Sequence, residues 1–158
     1  MKCSARLVRL EEDLDEDEDN CISITEVDGD DRFGTASKIW EAGLILAKYI
    51  HRKEKLFRGK KVLELGSGTG VLGLYLAAIG FDVILSDLEP VCTTILKMNM
   101  EEPRNVAMMN ESGGKAQIRA IDWAMGKEQL RECFEEFLVK ENIGLIVSSD
   151  PIYNTINM

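Results

Sequence analysis

The sequence predicts an α/β fold built on a doubly wound, mostly parallel sheet. Short apolar runs of strand length, at Lys61–Leu65, Phe81–Ser86, Ala116–Ile121 and Gly144–Ser149, alternate with longer stretches of helical periodicity. A glycine-rich turn, Gly66–Gly70, leads from the first of these strands straight into an apolar helix. An acidic residue, Asp87, closes the next strand. Strands alternating with helices need crossover connections, and crossovers make parallel sheets.

Taken in order, the N-terminal residues 1–20 are acid-rich, with a short strand expected at Ala5–Leu10. Cys21–Val27 alternates apolar and polar residues and predicts an edge strand, and Asp28-Gly29-Asp30-Asp31 reads as a turn. From Thr35 to Ile50 the residues Ile39, Trp40, Gly43, Leu44, Ala47 and Ile50 recur at helical spacing, with Thr35 or Ser37 as cap. Val71–Ile79 is an apolar helix stopped at Gly80. Pro90–Met100 is the next helix, with Pro90 suited to a first turn. Glu101–Gly114 is polar and predicts a loop, and Lys127–Lys140 is an amphipathic helix. No internal repeat is present. The expected organisation is an acidic, partly disordered arm over 1–31 and one ligand-binding domain over 32–158.

Charge supports that division. Residues 1–31 hold three basic and twelve acidic side chains, while the remainder holds sixteen of each, so the net charge of -9 belongs to the arm. The run Glu11 to Asp19 reads as a solvated, self-repelling tail, or else as a lure for a basic partner. A neutral body offers no basic face for nucleic acid, so no nucleic-acid partner is expected. The four cysteines, Cys3, Cys21, Cys92 and Cys133, lie far apart with no CxxC pair. That fits a reducing compartment better than a disulfide scaffold or a metal site, and no metal is expected. The single histidine, His51, lies in a polar stretch and reads as a surface residue. No signal peptide and no apolar run of about 20 residues is evident, so no membrane partner is expected. The expected location is the cytoplasm, with the nucleus as the alternative.

The chemistry begins at Glu64-Leu65-Gly66-Ser67-Gly68-Thr69-Gly70. A tight strand-to-helix turn needs unusual backbone angles, and a side chain there would block a ligand lying on the backbone. The dinucleotide fingerprint G-x-G-x-x-G/A requires Gly or Ala at position 71, where Val71 stands instead. The order is G-x-G-x-G, with Gly73 one turn on, and the third glycine at Gly70 suits a nucleoside and amino-acid ligand rather than a pyrophosphate. Asp87 can accept hydrogen bonds from both ribose hydroxyls of such a ligand; the plainer alternative is an N-cap for the next helix.

Two further strand ends point the same way. Ile121-Asp122-Trp123 follows the third strand, where an indole can lie against an adenine and Asp122 or the backbone beside it can reach the amino group; a surface tryptophan is the alternative. Ser148-Ser149-Asp150-Pro151-Ile152-Tyr153-Asn154 follows the fourth strand, where the transferable methyl group is expected. Asp150 there can position an amine, and Tyr153 can wall a tunnel around it. An ordinary Asp-Pro turn is the alternative.

Together these residues resemble the DxxY-type seven-strand protein-lysine methyltransferases, the methyltransferase-like 21 group and its fungal relatives. The resemblance runs from about Thr35 to Asn154. It rests on Lys38-Ile39-Trp40-Glu41-Ala42, Leu63 to Gly70, Ser86-Asp87-Leu88, Asp122-Trp123 and Asp150-Pro151-Ile152-Tyr153. The glycine turn is common to the whole class; the tryptophan helix together with the DxxY end is the specific part. The resemblance implies a Rossmann-like sheet of the seven-strand methyltransferase type with S-adenosylmethionine as cofactor. It implies that Trp40, Glu64, Gly66, Ser67, Gly68, Asp87, Trp123 and Ser149 serve the cofactor, and that Asp150 and Tyr153 serve a substrate lysine. The implied partner is a cytosolic protein of the elongation-factor or chaperone type. The family's domain continues with a fifth strand and a closing hairpin, so the sheet is expected to be truncated after its fourth strand. Two other readings stand beside this one. Asp150-Pro151-Ile152-Tyr153 also matches three of four positions in the strand end of amino-methyltransferases acting on nucleic-acid bases, and the chain can be read as an inactive cofactor-binding fragment.

Overall fold

The computed structural model describes residues 2–10, 20–29, 33–122 and 127–151. Strand β1 (Lys2–Arg9) pairs antiparallel with β2 (Cys21–Asp28), in register from Lys2 opposite Asp28 to Arg9 opposite Cys21. Both strands begin or end beyond the expected spans; β2 belongs to the core through Cys21, Ile22, Ile24 and Val27, whereas β1 is exposed except at Val8, with Leu10 buried just after it. Tyr75, itself buried, donates its hydroxyl to the Leu10 carbonyl. The described parts of 1–31 are joined to the body through β2, whose apolar residues supply a face that the helices cover. The acidic run at 11–19 lies outside the described residues.

The main sheet has four strands, β3 (Lys61–Leu65), β4 (Asp82–Asp87), β5 (Lys115–Ala120) and β6 (Ile143–Val147). Their order is β5-β4-β3-β6 and every pairing is parallel. Val62, Leu63, Val83, Ile84 and Leu85 are fully buried, so both faces of the two central strands are covered, as a parallel sheet requires.

The helices are α1 (Glu41–Arg52), α2 (Glu54–Phe57) and α3 (Val71–Ala78), followed by α4, α5 (Pro103–Ser112) and α6 (Lys127–Lys140). Helix α4 runs unbroken over 89–100 through Glu89–Val91, a wide π-type stretch Cys92–Leu96, and Lys97–Met100. All eight residues of α3 are buried, which is why its sequence is apolar on every side.

Three expectations are corrected. The helix expected over 35–50 starts only at Glu41, and neither Thr35 nor Ser37 caps it. Gly34–Ser37 forms a single tight turn whose Ser37 hydroxyl donates to the Gly34 carbonyl, and the backbone is then extended at Lys38 and Trp40. The polar stretch 101–114 contains α5 rather than only loop. End chemistry makes that helix: Glu102 accepts from the Arg104 and Asn105 amides, Pro103 occupies the first turn, and Gly113 ends it at φ 75°. His51, expected at the surface, is half-buried with its Nδ1 3.0 Å from the Tyr75 hydroxyl.

The edge of β2 away from β1 is closed by side chains. Asn105 accepts from the Ser23 amide and donates to the Ser23 carbonyl, both at 2.8 Å. Asn99 accepts from the Thr25 amide at 2.8 Å and donates to the Thr25 carbonyl at 3.1 Å. Both asparagines are buried, and their carboxamides complete the ladder that a third strand would supply.

Candidate cofactor site

In a parallel sheet the loops after the strands' C-terminal ends build the ligand crevice, at the point where strand order reverses. Here that point lies between β3 and β6. The glycine turn follows β3 and Ser148 to Asp150 follow β6. Ser148 Oγ donates to the Leu65 carbonyl at 2.8 Å and ties the two sides together.

The turn is held from beneath by β4. The Ser67 amide donates to the Ser86 carbonyl at 2.9 Å, and Ser67 Oγ accepts from the Ser86 amide at 3.0 Å. Gly66, Gly68 and Gly70 all have positive φ, at 70°, 54° and 82°. The third glycine is demanded by packing as well: a methyl group on Gly70 would stand 2.8 Å from the Leu96 side chain. Its need is thus met inside the protein.

Asp87 ends β4 and reaches the turn. Its Oδ2 accepts from the Gly68 amide and its Oδ1 from the Leu88 amide, each at 2.8 Å. The cap position of α4 falls on Leu88, so Asp87 is not that helix's cap. A carboxylate offers about four acceptor positions, and two are used here. Two acceptor positions are left for a ligand. Burial raises the Asp87 carboxyl above its ordinary range, against the opposing pull of the Gly68 and Leu88 amides.

Glu64 stands under the turn rather than in the crevice. It is 1% exposed, and its Oε2 accepts from the Gly73 amide at 3.1 Å. Burial pushes its carboxyl up to about 8, against hydrogen bonds from Ser67 and Gly73. A methyl group on Gly73 would come within 2.5 Å of that oxygen, which accounts for the fourth glycine. Glu64 can act on a ligand only through the turn it supports.

Trp40 is 49% exposed, with its indole N–H donating to the Thr35 carbonyl at 2.9 Å. The loop that carries it lies on the turn, since the Ala36 carbonyl would be 3.1 Å from a methyl group on Gly68. Ser149 is half-buried, with Oγ 3.4 Å from where a Gly43 methyl would stand on α1. Asp150 is exposed and holds a left-handed backbone at φ 48°. Asp122 follows β5 and is exposed. Trp123 and Tyr153, expected at the adenine and at the substrate amine, lie outside the described residues.

Sequence reasoning missed two residues beside the turn. Asn99 donates to the Thr69 carbonyl at 2.9 Å, and Glu26 Oε1 accepts from the Ile39 amide at 2.9 Å. The available signal was a buried-type polar residue inside an apolar helix, Met98-Asn99-Met100. Among the described residues no group of three metal-binding side chains exists, and no helix is long and apolar enough to cross a membrane.

Comparison with known proteins agrees with this geometry. Residues 16–158 match the family described as lysine methyltransferase. The chain is 34% identical over 132 residues to EEF1A lysine methyltransferase 3 of Mus musculus, covering 84% of this chain and 50% of that protein. It is 29% identical over 98 residues to the protein N-lysine methyltransferase METTL21A of Xenopus tropicalis, covering 62% of this chain and 43% of that protein. It is 28% identical over 138 residues to calmodulin-lysine N-methyltransferase of Arabidopsis thaliana, covering 84% of this chain and 41% of that protein. The chain thus spans half or less of the length of these relatives. With a parallel sheet, a glycine turn tied to a strand-end aspartate, and a family match over most of its length, this chain belongs to the lysine methyltransferase family.

Proposed function

We propose that this chain carries the cofactor-binding part of an enzyme that transfers a methyl group from S-adenosylmethionine to a lysine amine of a protein. The observation that supports it most is Asp87, fixed by the Gly68 and Leu88 amides with two acceptor positions left for a ribose diol. When bound, the cofactor supplies a methyl group on a sulfonium, open to displacement by a neutral amine. In this reading Gly66, Ser67 and Gly68 offer backbone along which the ligand lies, and Glu64 stiffens that backbone from below. Trp40, Trp123 and Ser149 complete the cofactor's surroundings.

Asp150 and Tyr153 serve the lysine. A lysine amine begins near pKa 10.4 and must lose its proton before it attacks. An apolar wall such as Tyr153 disfavours the ammonium form, and Asp150 orients the amine. Most of the rate then comes from alignment. EEF1A and calmodulin, which appear in the relatives' names, support a protein acceptor, and the elongation-factor or chaperone type is the acceptor proposed. A reducing, cytoplasmic setting is part of the same proposal, in keeping with Cys3, Cys21 and Cys92 as free thiols.

Calorimetric titration of the chain with S-adenosylmethionine tests the first half, and absence of binding overturns it. Transfer of a labelled methyl group to protein in a cell lysate tests the second half, using the chain and a version extended to the length of its relatives. Label appearing in RNA or DNA instead of protein would replace the lysine reading with a base-methylating one.

A further inference from the structure

We propose that Asn99 and Glu26 are positioning residues for the cofactor, through which the N-terminal hairpin holds the glycine turn in its binding shape. This rests on the reading that the turn binds S-adenosylmethionine.

Two separate connections run from β2 to the turn. On one side Asn99 bridges strand and turn with a single carboxamide. Its Oδ1 accepts from the Thr25 amide, and its Nδ2 donates both to the Thr25 carbonyl and to the Thr69 carbonyl. Asn99 is 0% exposed, so every one of these bonds is made away from competing water. On the other side Glu26, the next residue of β2, accepts from the Ile39 amide at 2.9 Å. That holds the loop whose Ala36 carbonyl lies beside Gly68, 3.1 Å from where a methyl group on it would stand, and the Gly68 amide also holds Asp87. Thr69 and Gly68 are adjacent, so the two connections act on neighbouring residues of the turn.

The Ser67 and Gly68 amides are held from the β4 side and the Gly70 amide by the Ser67 carbonyl, which leaves the Thr69 carbonyl to Asn99. Thr69 lies between glycines at φ 54° and 82°, and glycine is the residue with the most backbone freedom to lose. A turn left free to sample other shapes presents its binding shape only part of the time, and apparent affinity falls by that fraction. Asn105 makes the same kind of strand bonds to Ser23 and donates to the Asn99 carbonyl at 2.7 Å, so it reaches the turn only through Asn99.

The experiment measures S-adenosylmethionine affinity by calorimetry on the whole chain and on four variants, with melting temperatures recorded for each. Glu26→Ala removes the acceptor for Ile39 and is expected to weaken binding by about tenfold, the usual worth of one hydrogen bond to a charged group. Glu26→Gln keeps an acceptor oxygen in place and is expected to restore affinity to within about twofold of the unaltered chain. Asn99→Asp keeps the acceptor for Thr25 but loses the donors, and is expected to weaken binding at least as much as Glu26→Ala. Val8→Ala shortens a buried β1 side chain that takes part in neither connection, and is expected to lower the melting temperature while leaving affinity unchanged.

A further measurement needs no substitution. Coupling is reciprocal, so cofactor that gains from the Asn99 bridge must also tighten it. Hydrogen exchange of the unaltered chain is expected to slow more at the Thr25 amide, held by Asn99, than at the Ser23 amide, held by Asn105. Affinity unchanged in Glu26→Ala, equal loss in Val8→Ala, or equal slowing at Ser23 and Thr25 overturns the proposal while leaving the cofactor reading intact. No binding by the unaltered chain overturns both.

Discussion

The Gly68 amide donates to Asp87 Oδ2 at 2.8 Å, so the turn after β3 and the end of β4 are one unit rather than two neighbours. The Leu88 amide takes the other oxygen. The carboxylate is thereby aimed and half-satisfied before any ligand arrives, which lowers the cost of ordering it on binding.

Asp87→Ala is expected to weaken S-adenosylmethionine binding by about tenfold or more, because a hydrogen bond to a charged group is worth roughly 1.5–3 kcal/mol. The same change leaves the Gly68 amide without its partner, so the turn loosens as well. Titration calorimetry reads the loss, and an affinity equal to that of the unaltered chain removes the ribose assignment.

Glu64 predicts a pH dependence of stability. Burial raises its carboxyl from an ordinary 4.5 to about 8, so the folded chain holds this proton more tightly than the unfolded chain. Stability from this group is complete below about pH 4.5 and is lost as pH rises through about 8. Glu64→Gln keeps an acceptor for the Gly73 amide and cannot ionise. The melting temperature of the unaltered chain is expected to fall relative to Glu64→Gln between pH 5 and roughly pH 8–9. Parallel curves across that range would show that the carboxyl titrates normally.

Much of this site is legible in the sequence alone. The strand at Lys61–Leu65, the turn at Gly66–Gly70 and the strand-end position of Asp87 follow from apolar runs bounded by glycine and acid, signals confined to a few adjacent residues. What the sequence hides depends on residues far apart. Asn99 and Thr25 are separated by 74 positions, and nothing local marks either as the partner of the other. Helix α5 is hidden for a different reason: its ends are fixed by Glu102, Pro103 and Gly113, whereas its interior has too few apolar residues to show a period. The late start of α1 reflects the loop 34–40 being drawn onto Gly68 and Glu26, a tertiary demand that overrides helical spacing.

Removing residues 1–10 tests whether the hairpin belongs to the body. The deletion exposes the edge of β2 that pairs with β1, discards the buried Val8 and Leu10, and takes away the carbonyl to which Tyr75 donates. Burying a Val or Leu side chain contributes about 1.5–3 kcal/mol, so the melting temperature is expected to drop by on the order of 10 °C. Scanning fluorimetry decides this, and an unchanged melting temperature would restore the view of the segment as a solvated arm.

Asp150 carries the chemical half of the proposed function, and its backbone complicates the obvious substitution. At φ 48° it occupies the left-handed region, which Asp and Asn enter more readily than alanine. Asp150→Ala therefore removes the carboxylate and strains the turn together. Asp150→Asn retains the backbone preference and the size while removing the charge, so it isolates the chemistry. In a version of the chain extended to the length of its relatives, Asp150→Asn is expected to lower methyl transfer to protein by on the order of a hundredfold, the scale of a lost positioning contact. Cofactor affinity should stay within about twofold, because Asp150 follows β6 while Asp87, the proposed ribose acceptor, ends β4, two strands away in the sheet. Labelled-methyl transfer and calorimetry on the same preparation separate the two effects. Full transfer by Asp150→Asn would show that the amine is oriented by another group, and a matching loss of cofactor affinity would move Asp150 from the lysine side of the site to the cofactor side.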